Sequence, residues 1–423
     1  MIQFNENNET IEKLSARSIL VGISTGEDIS YSMEELAGLA AAAGAEVLGQ
    51  MVQKVDKINS ATYIGSGKVD ELKELASNMD ADLIIFNDEL SGMQLRNIED
   101  QTGVKVIDRT ILILDIFADR ATSREGKLQV EMAQLQYRMP RLLGFGKSLS
   151  RLGGGIGTRG PGEKKLETDR RHIQRRMDEI KREMEDVKSD RSIQRARREK
   201  SELPVVALVG YTNAGKSSIM NRFLTLEERS DKQVFEKDML FATLDTAQRL
   251  VTLDDRCSFI LVDTVGFVSK LPHALINAFK ATLEEVLQAD LLIHVVDASF
   301  ENHDFQINVT ERVIEELGAG GKPSIIAYNK IDIVPGFDAL GQNSILLSAK
   351  TGDGWDELIS KIKTSLFGDF QLVNMLIPYT RGDIVSAVNG KAKPIETKYE
   401  AEGTYIKVEL GEADRNRYAE FII

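Results

Sequence analysis

Cysteine is nearly missing from this chain: Cys257 is the one thiol in 423 residues. A single cysteine excludes an internal disulfide framework and suits a reducing compartment. No apolar run approaches the roughly 18 residues that a membrane-spanning helix needs. The opening segment, Met1 to Glu9, has no basic stretch followed by an apolar one, so it does not read as a secretory leader. The expectation is a cytoplasmic protein without a membrane span. Positive charge is also scarce, since the chain nets −13, but the deficit is uneven. Between Lys147 and Lys200 there are 17 Lys and Arg against 10 Asp and Glu, a net of +7, so the remainder carries −20. A basic arm on an acidic body points to a polyanionic partner; a solvated helix laced with ion pairs is the plainer alternative. At this length the chain has room for two to four domains.

One stretch organises the rest. Val205 to Val209 is a short β-rich run, and Gly210-Tyr211-Thr212-Asn213-Ala214-Gly215-Lys216-Ser217 follows it, with Ser218 to Leu224 reading as a helix. Strand, glycine loop and helix N-terminus in succession form a phosphate cradle, because the glycines let backbone N–H groups converge and the helix dipole adds favourable charge. Lys216 can bridge β- and γ-phosphates, and the Ser217 hydroxyl can ligate Mg²⁺. Residues 210 to 218 are therefore the candidate phosphate site, Ser218 included.

Further signals follow in workable order. Strand Phe259 to Val262 ends in Asp263-Thr264-Val265-Gly266, an aspartate for the Mg²⁺ water shell and a glycine N–H for a γ-phosphate. Phe241-Ala242-Thr243-Leu244-Asp245 supplies Thr243 to Mg²⁺ and the γ-phosphate, with Thr246 as the fallback. Strand Ser324 to Tyr328 ends in Asn329-Lys330-Ile331-Asp332, where the Asp332 carboxylate can accept from guanine N1–H and N2–H₂, donors that adenine lacks. Ser348-Ala349-Lys350 then offers a backbone N–H to guanine O6. Lys216, Thr243 and Gly266 are the candidate catalytic groups, and the metal set is Ser217, Thr243 and Asp263. The signals together read as a GTPase binding GTP, GDP and Mg²⁺. Phe267 stands where Ras-like enzymes carry the glutamine that orients water, so hydrolysis is expected to be slow alone and stimulated by a partner. Asn213 leaves two readings open: a turn former, or a residue that helps hold K⁺.

Around this core, strands alternate with helices from about residue 18 to 118, a small α/β domain. Gly65-Ser66-Gly67-Lys68 lacks the spacing of a second phosphate loop and reads as a helix-initiating turn. Leu128, Met132, Leu135, Met139 and Leu142 form one heptad stripe; Leu166, Ile173, Met177, Ile180, Met184 and Val187 form another. An antiparallel helical hairpin follows, with Pro140 expected to kink or shorten its first helix. Between the stripes, residues 144–162 are too glycine-rich for a regular element. Lys147, Arg151 and Arg159 there suit contact with RNA, a linker being the alternative. Beyond about Leu366 a small α+β unit carries no chemistry of its own.

The chain resembles the HflX family of translational GTPases from about residue 18 onward. Its carriers are the segments at 210–217, 241–245 and 263–267, the glycine-rich stretch around Gly153 to Gly162, and Leu128 to Tyr137. Ala247-Gln248-Arg249 departs from the threonine-rich switch segment such a relative would show. The resemblance implies binding to the large ribosomal subunit, the hairpin tip near ribosomal RNA of the peptidyl-transferase region, and splitting of stalled or idle ribosomes, notably under heat stress. The expected architecture is α/β and multidomain, with an N-terminal α/β domain (1–118), a helical hairpin (119–200), a Ras-like P-loop GTPase domain with a mostly parallel sheet (201–367) and a small C-terminal α+β domain (368–423). A monomer is expected. An assembly GTPase on precursor subunits and a switch that binds a protein target remain as alternatives.

Overall fold

Short apolar runs bounded by polar residues and glycine become the buried strands of one parallel and one mostly parallel sheet. The computed structural model describes residues 16–142, 161–199, 203–226, 241, 247–254, 257–270, 285–338, 341, 343–368, 371–392 and 394–423. These residues divide into two compact units. The first runs to Asp190 and also takes in Phe241, Ser269 and Lys270; the second holds the remainder from Arg191 to Ile423.

The first unit opens with β1 (Arg17–Ser24), α1 (Ser30–Ala42), β2 (Glu46–Lys54), α2 (Ser66–Asn78), β3 (Leu83–Phe86), α3 (Gly92–Thr102) and β4 (Lys105–Asp108). The sheet is parallel in the order β2-β1-β3-β4. All four residues of β3 are buried, the pattern of a strand covered on both faces. Gly65 caps α2 at its N-terminus and Lys68 pairs with Glu71 of the same helix, so this stretch is the helix-initiating turn expected. Ser91 and Gln94 form a reciprocal capping box that starts α3. Helix α4 (Arg109–Arg120) starts directly at the end of β4, because Asp108 accepts from the Ile111 N–H at 3.0 Å and acts as its cap.

Helix α5 (Arg124–Leu142) and helix α6 (Pro161–Glu199) carry the two stripes. Leu128, Met132, Met177 and Ile180 are buried together, flanked by Leu135, Met139, Ile173 and Met184. Arg176 adds two bonds to Glu131 across the pair, at 2.7 and 2.8 Å. Pro140 lies within the last turn of α5, so the helix runs on undisturbed up to it. Tyr137 Oη donates to the buried Asp108 at 2.5 Å, and Arg141 donates to Leu90 O at 2.8 Å, fastening α5 to the small α/β domain. Residues 143–160, and with them Lys147, Arg151 and Arg159, lie outside the described residues.

Also in the first unit, Phe241 meets Phe117 edge-on at 4.6 Å between ring centroids. Arg109 is 2% exposed; it pairs with Glu35 and donates to Ser269 Oγ at 3.0 Å and Asn87 Oδ1 at 2.9 Å. Lys270 pairs with Asp88.

The second unit contains β5 (Val205–Gly210), α7 (Lys216–Leu226), β6 (Ala247–Asp254), β7 (Cys257–Asp263), β8 (Leu291–Asp297), α8 (His303–Leu317), β9 (Ser324–Asn329), β10 (Ser344–Leu346) and α9 (Trp355–Phe367). Its sheet order is β10-β9-β8-β5-β7-β6, parallel except for β6. Ala247-Gln248-Arg249 thus opens an antiparallel edge strand, with Ala247 opposite Asp263. Strand β5 lies between β7 and β8, which both follow it in the chain and flank it on opposite sides, so the strand order reverses there and the crevice of the sheet opens at its carboxyl end.

A second sheet follows: β11 (Gln371–Ile377), α10 (Gly382–Lys391), β12 (Glu396–Glu400), β13 (Gly403–Leu410) and α11 (Glu412–Arg417), in the order β11-β13-β12. Alternation along β13 buries Ile406, Val408 and Leu410 with Ile384 and Val388 of α10. This is the small α+β unit expected. Among the described residues, no helix is long and apolar enough to cross a membrane.

Candidate nucleotide site

The loop after β5 is shaped by two glycines that nothing larger can replace. Gly215 has φ +96°, and a Cβ there would overlap the Asn329 side chain. At Gly266 a Cβ would stand 2.7 Å from the Thr212 Cα and 2.9 Å from Lys216 Nζ. Each glycine lets two separate segments close to a distance that side chains forbid.

Lys216, the first residue of α7, is buried with its ammonium donating to the carbonyls of Tyr211 (2.7 Å) and Gly210 (3.1 Å). Burial pulls its pKa down from 10.5 to about 8, and the charge of Asp263 opposes part of that shift. Ser217 Oγ donates to Asp263 Oδ2 at 2.6 Å, and Asp263 is fully buried at the end of β7. Two hard oxygen donors thus converge beside the lysine, a set that fits Mg²⁺ rather than a soft metal. Thr264 ties the end of β7 to β5 through Leu208 O at 2.6 Å. Thr243 lies outside the described residues, so the structure brings two of the three expected metal groups together.

Phe267 is 1% exposed, and its backbone is bonded to the phosphate loop on both sides. Thr212 N donates to Phe267 O at 2.8 Å, and Phe267 N donates to Gly210 O at 3.1 Å. The ring belongs to the core and its backbone braces the cradle. Asn213 is exposed at φ +60°, the left-handed turn conformation that asparagine tolerates.

At the end expected to read the base, Asn329 bridges two segments: Nδ2 donates to Ala214 O at 2.9 Å and Oδ1 accepts from Ala349 N at 2.9 Å. Asp332 accepts from Ser348 Oγ at 2.7 Å, joining the two guanine motifs. Lys330 takes φ +68° and pairs with Asp297 at the end of β8. Ala349 N–H, expected from the sequence to face guanine O6, is held by Asn329 Oδ1 in this structure. Lys350 follows in the same loop.

Several of these contributors were not apparent from the sequence. Asp297 ends an apolar strand and looks like an ordinary strand terminus. His294, also on β8, is buried beneath the site, and burial, followed by the nearby Lys216 charge, lowers its pKa to about 4. Arg222 sits on α7 where an arginine reads as solvated surface, yet it bonds to the loop after Ser348. Only the buried run of β8 itself carried a sequence signal.

The chain matches three family models in succession. Residues 30–118 match a GTP-binding GTPase N-terminal region, 120–198 a GTP-binding GTPase middle region, and 205–330 a 50S ribosome-binding GTPase. Among curated proteins, the GTPase HflX of Caldanaerobacter subterraneus is 47% identical over 98% of this chain and 96% of its own length. That of Lacrimispora saccharolytica is 44% identical over 94% of each. A GTP-binding protein from Sulfolobus solfataricus, solved with GDP, covers 83% of this chain and 98% of its own at 24% identity, with a TM-score of 0.43.

Proposed function

Since the chain belongs to the HflX family of GTPases, we propose that it is a cytoplasmic, monomeric GTPase that binds the large ribosomal subunit and uses the GTP cycle to separate stalled or idle ribosomes. It hydrolyses GTP. In this reading Lys216 and the N–H groups of residues 211 to 217 hold the phosphates, with Gly266 facing the γ-phosphate. Ser217, Thr243 and the Asp263 water shell hold Mg²⁺, which when bound neutralises developing phosphate charge. Asn329, Lys330 and Asp332, with Ser348, Ala349 and Lys350, read guanine. The tip of the hairpin, with Lys147, Arg151 and Arg159, is assigned to ribosomal RNA near the peptidyl-transferase region.

The observation that carries a partner-dependent reaction is Phe267. Its ring is in the core and its backbone braces the phosphate loop, so it cannot turn outward to orient water without loosening the cradle. The orienting element must therefore come from elsewhere, and a ribosomal surface met by the hairpin supplies it. The test is the GTPase rate of the purified chain with and without purified large subunits. A rate that climbs with large subunits and saturates is expected. Fast hydrolysis by the chain alone, or no response to large subunits, would overturn the proposal.

A further inference from the structure

Helix α7 serves the nucleotide at both ends. Its first two residues, Lys216 and Ser217, stand at the phosphate and metal positions. Arg222, further along the same helix, reaches the other end of the site. Its Nη1 donates to Ala349 O at 3.2 Å and Lys350 O at 3.4 Å, and its Nη2 donates to Thr351 O at 3.3 Å. Three consecutive carbonyls of the guanine-reading loop thus share one guanidinium. Its planar fork suits such a run of acceptors in a way that a lysine ammonium does not. The guanidinium carbon lies 5.4 Å from the Trp355 ring centroid, which sets the plane of the fork. On the far side of the loop Gly352, at φ +97°, leaves the room the guanidinium occupies, because a Cβ there would overlap Arg222 Nη2. The Nε of Arg222 is buried without a hydrogen-bond partner, a cost accepted where the geometry of the other two nitrogens matters more.

We infer that Arg222 is a positioning residue for guanine specificity: by holding the Ala349 carbonyl from behind it fixes the peptide plane that carries the Lys350 N–H, and so aims that N–H at guanine O6. The inference rests on the reading of Ser348-Ala349-Lys350 as the O6-recognising loop. Peptide units are rigid planes, so fixing a carbonyl fixes the direction of the N–H in the same plane. Asn329 holds this loop from the phosphate side through Ala349 N, and Arg222 holds it from the helix side through the carbonyls. The loop is clamped between two groups that both answer to the phosphate cradle, since Asn329 also bonds Ala214 O and Arg222 belongs to the helix that Lys216 begins. Its guanidinium meets the loop's carbonyls, behind the N–H groups read as facing the base. It therefore acts on the base through the loop.

The test compares the full-length chain and Arg222→Ala for affinity to GDP and to 2-aminopurine riboside diphosphate, which keeps the sugar, phosphates and exocyclic amine but lacks O6 and the N1–H that Asp332 is read to accept; the Asp332 part of the preference is common to both proteins and cancels in the comparison. The wild-type chain is expected to prefer GDP. In Arg222→Ala the GDP affinity should fall about tenfold, about 1.4 kcal/mol, while the analogue binds as before. The preference narrows by that factor because only the O6 contact was being aimed, and the N1–H contact to Asp332 keeps the rest. Arg222→Lys keeps the charge and the helix, but a compact ammonium lacks the planar fork that spans three successive carbonyls, so it should lose part of the preference and remain folded. It carries the test if the alanine variant does not fold. Equal losses for both nucleotides would make Arg222 a merely structural residue and overturn the inference, as would an intact preference in both variants. A wild-type chain that binds the two nucleotides alike overturns the assignment of the O6-reading loop, and this inference with it.

Discussion

The buried lysine of the phosphate loop makes nucleotide affinity depend on pH in a direction the structure fixes. Lys216 is held in a cradle that water does not reach, with two carbonyls and the Asp263 charge as compensation. Burial outweighs that compensation, bringing the pKa from 10.5 to about 8. A drop of this size means that keeping the ammonium charged in the ligand-free fold costs about 3 kcal/mol. Phosphate oxygens remove the cost by supplying the missing counter-charge, so the bound lysine stays protonated to a higher pH. Below about pH 8 the ligand-free protein already carries the proton, and binding is insensitive to pH. Above that pH the proton must be taken up on binding, and the affinity falls as pH rises. Between pH 7 and pH 9 the protonated fraction of the free lysine goes from about nine-tenths to about one-tenth, so GDP affinity should weaken about tenfold. The stability of the free chain should move the other way. The unfolded lysine holds its proton up to 10.5, so the unfolded chain binds more protons between pH 8 and 10.5 and the folded state gains over that window. Fluorescent-GDP titrations across pH 7 to 9, with Lys216→Arg as the control that keeps its charge and cancels the ionisation of the base, measure the effect. A flat profile, or the same slope in Lys216→Arg, would refute the reasoning.

Two further outcomes follow from the same site. Gly215→Ala places a Cβ where the Asn329 amide stands, on a backbone at φ +96°; guanine-nucleotide affinity should drop at least about a hundredfold, by the strain and the two Asn329 bonds put at risk, and unaltered binding in equilibrium titration would contradict this. If Asn213 helps hold K⁺ rather than only forming a turn, replacing K⁺ by Na⁺ at equal ionic strength should slow the stimulated GTPase rate, and equal rates would leave Asn213 as a turn former alone.

Legibility in the sequence tracked the distance over which information had to act. The phosphate loop was readable because Gly210, Gly215, Lys216 and Ser217 are spaced along one short segment and each has a chemical reason for its place. The hairpin was readable because Leu128, Met132, Met177 and Ile180 repeat at helical intervals. Helix α4 was not, since Thr110-Ile111-Leu112-Ile113-Leu114 reads by propensity as a continuation of strand β4. The Asp108 cap overrides that preference by engaging the Ile111 N–H, a bond no pattern announces. Arg222 escaped for a related reason: its partners, Ala349 to Thr351, lie more than a hundred residues away along the chain, and a residue's reach across the fold leaves no trace in its neighbours; Asn329 was readable as part of its motif, but its bond to Ala214 was not. Of the three expected metal groups only Ser217 and Asp263 are described, because Thr243 falls outside the described residues.

The chain does not come apart where its sequence motifs do. Phe241, Ser269 and Lys270 lie within the stretch that encodes the GTPase, yet their partners Phe117, Arg109, Glu35 and Asp88 all come from the first 120 residues. A fragment beginning near residue 201 would therefore be an amputated enzyme: a bared phenylalanine and an orphaned lysine would flank the segment that carries Gly266. Any altered turnover in such a fragment would confound a missing regulator with missing packing. Dissection of this protein belongs to point variants in the intact chain.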